Sequence, residues 1–309
     1  MKRFLALFLL LVLLTPSLCS CLLRSVTVTY VDTPSGDGAT VAYLRGGYAD
    51  RIPVREGYVF DGWYLDSELT RPYDAGKRLT SSLVLYASWS FDYEALANAI
   101  ATEAMTSCVR VWTYRYNSRF GTVVASESSH GSGVIYKSQD GYMYCLTNEH
   151  CITKYDGYAH TEYTVIDAFG EEHAAELLFY RTDYDLAILR FASDDTLSVA
   201  TLAVADAERG DITVSVGAPN GLINTVTYGE LLGYRTVTDI ASEGIEVAFE
   251  VGCHDTPVDH GSSGGAVFGI TREVIGINFA ASEDAEGNTL YAFYIPISKV
   301  REFLSLYTS

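Results

Sequence analysis

The 309-residue sequence is poor in cysteine, proline, methionine and tryptophan, and it carries few positive charges. Its 21 Lys and Arg residues stand against 39 Asp and Glu residues, which gives a formal net charge of -18 at pH 7. No cluster of basic residues occurs along the chain. An acidic surface of this kind repels nucleic acid and anionic lipid headgroups, so we expect neither a nucleic-acid partner nor membrane binding through a basic patch.

A long hydrophobic run is also missing, because the run Phe4–Leu14 is too short to cross a bilayer as a helix. Two basic residues precede this run and the sequence LCSC, residues 18–21, follows it, as in a secretory leader. LCSC resembles a bacterial lipobox. That resemblance implies that residues 1–20 are a lipoprotein signal peptide and that Cys21 becomes the lipidated N-terminus of residues 21–24. An ordinary signal peptide, which would release a soluble protein, is the alternative.

Few cysteines remain beyond this leader, and no C-x-x-C pair occurs among them. The spacing therefore predicts neither a metal site nor a disulfide framework. Cys145 and Cys151 flank a histidine. A disulfide between them and two free buried thiols are both open alternatives. The four cysteines are Cys108, Cys145, Cys151 and Cys253.

Residues 25–90 read as a small β-rich unit of their own. Alternating or aromatic-ended segments predict strands at Val26–Val31, Tyr58–Tyr64 and Leu83–Trp89. The sequence EGYVFDGWY, together with the last of these segments, resembles the Listeria–Bacteroides (internalin B-type) repeat of bacterial surface proteins. One copy favours a spacer over an adhesin, because adhesion gains from multivalency. Binding of a cell-surface ligand through the repeat stays open.

An alanine-rich stretch, residues 91–107, predicts a helical connector to the rest of the chain. Residues 108–309 then return to short strands with turn signals every 8–12 residues, which favours an all-β barrel or sandwich. A helix at about residues 298–306 is expected to close this region.

Three short segments of this region carry the residue types of acyl-transfer chemistry. The sequence TNEH places His150 at the end of an apolar strand, and TDYDLAILR places Asp185 at the mouth of another. In HGSSGGAV, glycines flank Ser263 and allow a tight turn in which the Gly261 and Ser263 amides point at one spot. We predict Ser263 as nucleophile, His150 as general base and Asp185 as the carboxylate that orients His150.

The order His, Asp, Ser is that of the chymotrypsin architecture. The stretches GSGVIY, LTNEHCI, DYDLAILRF, HGSSGGAVF, EVIGINFA and YAFYIPISKV resemble, in the same order, the protease domain of the HtrA/Deg family of trypsin-like serine proteases. That resemblance implies an all-β fold of two six-stranded antiparallel barrels with the catalytic triad between them. It implies cleavage of protein or peptide substrates, and triad chemistry needs no metal or organic cofactor.

Two positions depart from the family pattern, since His260 and Ser262 stand where Pro and Asn are usual. No aspartate therefore precedes Ser263 to receive a freed N-terminal amine, and we expect no zymogen cleavage. The sequence ends soon after IPISKV, so we expect no PDZ domain. Pro257, six residues before Ser263, is expected at the floor of the P1 pocket and favours small or medium apolar side chains, whereas Asp255 or Asp259 at that place would change the preference.

These features predict a lipid-anchored serine endopeptidase on the extracytoplasmic side of a bacterial membrane. Three alternatives stay open: an inactive pseudoprotease that keeps the barrels, a surface adhesin or ligand-binding lipoprotein, and an esterase with the same nucleophile. Homo-oligomerisation, common among HtrA-like relatives, stays open too.

Overall fold

The computed structural model describes residues 25–32, 38–55, 57–153, 157–193, 197–218, 225–236, 247–283 and 289–307. The predicted signal peptide and Cys21 lie outside these residues. In the described part of the chain, no helix combines the length and the apolar character needed to span a membrane. The chain divides into two compact units, residues 1–92 and residues 93–309.

The first unit contains a four-stranded sheet in the order β2-β1-β4-β3. Strands β1 and β4 pair in parallel, and the other neighbours pair antiparallel. Val28, Tyr30 and Leu85 are fully buried on one face, where the ring of Trp63 lies 4.8 Å from that of Tyr30. The strand bounds are β1 Ser25–Val31, β2 Gly38–Leu44, β3 Tyr58–Tyr64 and β4 Leu83–Phe91.

The second unit begins with helical turns and continues into a closed barrel of six antiparallel strands, in the order β10-β7-β6-β5-β8-β9. Helix α1, Tyr93–Ala99, runs into a π-helical turn, Ile100–Ala104, and a 3₁₀ turn, Met105–Ser107. The strand bounds are β5 Cys108–Arg119, β6 Thr122–Gln139, β7 Tyr142–Thr147, β8 His160–Ile166, β9 Glu172–Arg181 and β10 Leu186–Ala192.

Another closed barrel of six antiparallel strands follows, in the order β11-β12-β13-β16-β15-β14. Helix α3, Ile297–Leu306, closes the described chain and buries Ile297, Val300 and Phe303, which lie three residues apart on one face. The strand bounds are β11 Ile212–Gly217, β12 Thr225–Thr236, β13 Glu250–His254, β14 Ala266–Phe268, β15 Val274–Glu283 and β16 Thr289–Pro296.

The predicted fold class is confirmed: two six-stranded antiparallel barrels follow a small β-rich module. The question about the cysteines is also answered, because Cys108, Cys145, Cys151 and Cys253 are all free and buried. Burial raises the pKa of the Cys108 thiol to about 12 and also raises the pKa of Cys253. These thiols are therefore parts of the packing rather than cross-links.

Candidate active site

His150 lies in a single helical turn, α2 (Glu149–Ile152), that directly follows strand β7. The sequence placed His150 at the end of an apolar strand, and the structure places it in the helical turn beyond that strand. The chain turns helical here because the carboxylate of Asp185 accepts the backbone N–H of His150 at 3.0 Å, as anions do at helix N-termini. The helix-capping position, Asn148, instead uses its side-chain amide to donate to the backbone carbonyl of Asp185 at 2.8 Å.

Asp185 connects a 3₁₀ turn to strand β10 and has left-handed backbone geometry with φ of 48°. Its side chain is buried, with the residue 2% exposed. The two carboxylate oxygens have separate roles, because Oδ1 binds the His150 backbone and Oδ2 lies 2.8 Å from Nδ1 of the imidazole. This pairing holds the ring in one orientation and leaves Nε2 for a reacting group.

The pKa of His150 results from opposing effects. Burial disfavours the imidazolium, whereas interactions with Cys151 and with the Asp185 carboxylate favour it. The favourable interactions prevail, and the pKa of His150 is raised well above its ordinary value of 6.5. A basic imidazole of this kind is a strong proton acceptor above its pKa.

The other end of α2 is held by side chains of the first barrel. Thr113 Oγ1 donates to the backbone carbonyl of Cys151 at 2.8 Å, and Arg115 Nε donates to that of Thr153 at 2.6 Å. Arg115 is fully buried. A carboxylate at the start of the turn and a guanidinium at its end both complement the helix dipole, so the turn that carries His150 is fixed from two sides.

Ser263 lies in the loop between strands β13 and β14 of the second barrel. Two glycines with positive φ shape this loop, Gly261 at 97° and Gly264 at 84°. A Cβ on Gly261 would lie 2.6 Å from the Ala218 carbonyl oxygen, and a Cβ on Gly264 would collide with that of Ser132. Both glycines are therefore required for the backbone to follow this path.

The amides of the loop are divided between two uses. The N–H of Ser262 donates to the carbonyl of Asp259 at 2.9 Å, and the N–H of Gly265 donates to that of Ser262 at 2.9 Å. Within the described residues, the N–H groups of Gly261 and Ser263 donate to no other group. These two amides are therefore available to another acceptor, as an oxyanion site requires.

A cavity of about 420 Å³ brings the separate parts together, because His150, Gly261 and Ser263 all line it. His150 comes from the first barrel, whereas Gly261 and Ser263 come from one loop of the second. The complete set of lining residues is Ser128, Ser129, His130, His150, Cys151, Val258, Asp259, His260, Gly261, Ser262, Ser263, Asn278, Phe279, Ala280 and Ala281.

Comparison with known protein families decides what this region is. Residues 131–277 match the family described as trypsin-like peptidase domain. This part of the chain, a little under half of it, is similar to trypsin-like peptidase domains. Residues 27–88 match the Listeria-Bacteroides repeat domain. Both resemblances predicted from the sequence are confirmed.

Curated relatives extend the comparison. The serine protease Do-like HtrA of Bacillus subtilis is 30% identical over 181 residues, which are 57% of this chain and 38% of the relative. The probable periplasmic serine endoprotease DegP-like of Rhizobium meliloti is 37% identical over 177 residues, which are 56% of this chain and 32% of the relative. The chain thus spans about a third of the length of these relatives.

Solved structures agree with the fold. A tripeptide complex of the HtrA-type protease AlgW is 26% identical, with a TM-score of 0.53 over 68% of this chain and 62% of that chain. A decapeptide complex of AlgW is 24% identical, with a TM-score of 0.54 over 68% of this chain and 67% of that chain.

One residue of the peptidase domain lies elsewhere than predicted. Pro257 is exposed and does not line the cavity, which has Val258 instead. The side chain of Thr256 is buried and its Oγ1 lies 2.6 Å from that of Thr213, so the next residue points outward. The expectation that Pro257 forms the floor of the P1 pocket is therefore wrong.

Several residues around the site were not identified from the sequence. Arg115 and Thr113 gave no signal, because alternation of side chains along β5 predicts burial but not what the buried polar groups bind. Cys151 directly follows His150, and its Sγ lies 3.7 Å from the carbonyl oxygen of Ser263. Ser132 lies inside the GSGVIY stretch, where its position between two glycines was the available signal, and the structure shows that it is buried.

Proposed function

We propose that this chain is an extracytoplasmic serine endopeptidase. The observation that carries the proposal is the convergence of His150, bound to Asp185, with Ser263 and two free amides in one cavity. The match to the trypsin-like peptidase domain and the serine-protease names of the relatives support the same reaction class.

In the proposed mechanism, Ser263 Oγ attacks the scissile carbonyl while His150 accepts its proton and later donates it to the leaving amine. The buried carboxylate of Asp185 holds the imidazole and stabilises the imidazolium that forms. The amides of Gly261 and Ser263 bind the oxyanion of the tetrahedral intermediate. No step requires a metal or organic cofactor.

The wall of the cavity supports a preference for small or medium apolar P1 residues. Val258, Ala280 and Ala281 line it with apolar side chains, and Phe279 adds a ring. Polar side chains from strand β6, from strand β15 and from the loop that carries Ser263 also line the cavity, and Asp259 is among those of the loop. The neighbour AlgW was solved with a tripeptide, which agrees with protein or peptide substrates for this chain.

Attachment and domain roles form the finer part of the proposal. We assign residues 1–20 as signal peptide, Cys21 as the lipidated residue and 25–90 as a spacer that carries the catalytic domain, 108–309, through the connector 91–107. The periplasmic relatives support an extracytoplasmic location. This assignment includes neither a ligand for the repeat nor self-association of the chain.

A fluorophosphonate probe tests the function directly. The wild type is expected to react covalently, and Ser263→Ala is expected to remain unlabelled and to lose roughly 10³–10⁶ in turnover of a peptide substrate. Ser126→Ala, an exposed serine of strand β6, is the matched control and should label like the wild type. A folded wild type that does not label would favour the pseudoprotease or the binding lipoprotein.

A further inference from the structure

Ser132 is a fully buried residue of strand β6, in the first barrel. Its backbone carbonyl accepts a hydrogen bond from Thr147 Oγ1 at 2.7 Å. Thr147 is the last residue of strand β7, and the helical turn that carries His150 begins two residues later. One side of Ser132 is thus tied to the strand that positions His150.

The other polar atoms of Ser132 reach into the second barrel. Its backbone N–H donates to the carbonyl of Ser263 at 2.7 Å, and its hydroxyl donates to the carbonyl of Gly261 at 2.6 Å. The same hydroxyl accepts the backbone N–H of Ala218, just beyond strand β11, at 2.8 Å. Every polar atom of this buried residue is used.

The two carbonyls bound by Ser132 belong to the two residues whose amides are free in the cavity. Between them, the carbonyl of Ser262 is held by Gly265 N–H at 2.9 Å. Three consecutive carbonyls are therefore fixed, and peptide planes cannot rotate without breaking one of these bonds. The direction of the Ser263 amide follows, because its plane contains the Ser262 carbonyl.

We propose that Ser132 is a positioning residue that holds the nucleophile loop in the conformation that binds an oxyanion. It also couples this conformation to the strand that carries His150. The inference rests on the proposed function, because it assigns a role within that reaction. Ser132 touches no substrate and acts through Gly261 and Ser263.

The surroundings explain why a serine is needed at this position. A Cβ on Gly131 or on Gly133 would collide with the Sγ of Cys151 or Cys145, so β6 approaches its neighbours through glycines. Gly217 lies so close that a Cβ built on it would be 3.0 Å from the Ser132 hydroxyl. Position 132 therefore has no space for a side chain longer than serine. A hydroxyl is the smallest side-chain group that donates to one backbone atom and accepts from another.

The test compares Ser132→Ala with Ser126→Ala in the full chain, at a temperature where circular dichroism shows each variant folded. For Ser132→Ala we expect kcat to fall about 10- to 100-fold, as small displacements of catalytic groups do, with KM within about twofold. The affinity for a peptide aldehyde, which forms an oxyanion on Ser263, should fall in proportion to kcat/KM. If Ser132 had a merely structural role, its replacement would lower the melting temperature but leave kcat, KM and the aldehyde affinity unchanged.

A second variant keeps the test decisive if Ser132→Ala does not fold. Thr147→Val keeps the branched shape of the side chain and removes the hydrogen bond to the Ser132 carbonyl. We expect a smaller loss of kcat, about threefold to tenfold, with the same parallel loss of aldehyde affinity. Unchanged kcat and aldehyde affinity in the folded variants would overturn this inference alone, whereas an unlabelled wild type would overturn the proposed function and this inference with it.

Discussion

His150 and Asp185 are joined by two hydrogen bonds, one from the backbone N–H of His150 to Oδ1 and one between the imidazole Nδ1 and Oδ2. One carboxylate thus shapes the helical turn and orients the ring within it. Replacing it should therefore affect the position of His150 as well as its basicity.

For Asp185→Asn we expect kcat to fall about 10⁴-fold, because the amide no longer accepts the Nδ1 proton and the ring adopts the wrong tautomer. Steady-state kinetics with a peptide substrate measures this loss. Asp183→Asn is the matched control: that carboxylate is solvent-exposed and pairs with Arg181. Similar losses in both variants would contradict the special role of Asp185.

The pH profile of kcat/KM should rise along an acidic limb whose midpoint lies above 6.5, because His150 acts as base when neutral and its pKa is raised. Activity is thus lost as pH falls through this raised pKa. His173→Gln serves as control, since His173 also faces an aspartate, Asp167, at 3.1 Å but does not line the cavity. A flat profile between pH 5 and 8 would show that His150 is not the base.

Gly264→Ala should abolish probe labelling and lower the melting temperature, because its positive φ strains alanine and its Cβ meets the Ser132 carbonyl oxygen. Gly121→Ala is matched in backbone geometry, with φ of 79°, but has open space around its Cβ. That control should cost roughly 1–2 kcal/mol of stability at most and retain activity. If both variants labelled with the probe and had similar melting temperatures, the loop that carries Ser263 would tolerate a different backbone conformation.

Arg115→Met should lower kcat by about tenfold or more, because the carbonyl of Thr153 loses its donor and the turn of His150 loosens. The midpoint of the acidic limb should move towards 6.5 as the contact with Asp185 weakens. Arg119→Met, on the same strand but exposed, is the control. An unshifted midpoint together with full activity in folded Arg115→Met would refute the role of this guanidinium.

Activity should not require cleavage at the start of the peptidase domain. Ser262 closes its own turn, since its Oγ accepts the N–H of Asp259 at 3.2 Å and its N–H binds the Asp259 carbonyl. The loop thus needs no freed N-terminal amine. We expect protein with residues 21–107 present to label with the probe without processing, and mass spectrometry should find it intact; labelling that appears after proteolysis alone would show the opposite.

The sequence by itself determined the strand-rich class, the start of α3 to within one residue, and the identities of His150, Asp185 and Ser263 as candidates. These follow from local signals: side-chain alternation, turn residues and short motifs, which depend on neighbours in the chain. The glycines around Ser263 also predicted a tight turn, because tight turns favour glycine where the backbone has a positive φ.

Tertiary structure alone decided which groups meet. Packing of the two barrels brings Ser132 to Gly261, 129 positions away, and pairing of strands β10 and β7 brings Asp185 to the backbone of His150, 35 positions away. Tertiary structure also turned Pro257 outward and left the four cysteines unpaired. Such contacts depend on strand register and barrel closure, which arise from packing over the whole domain and leave no periodic trace in the sequence.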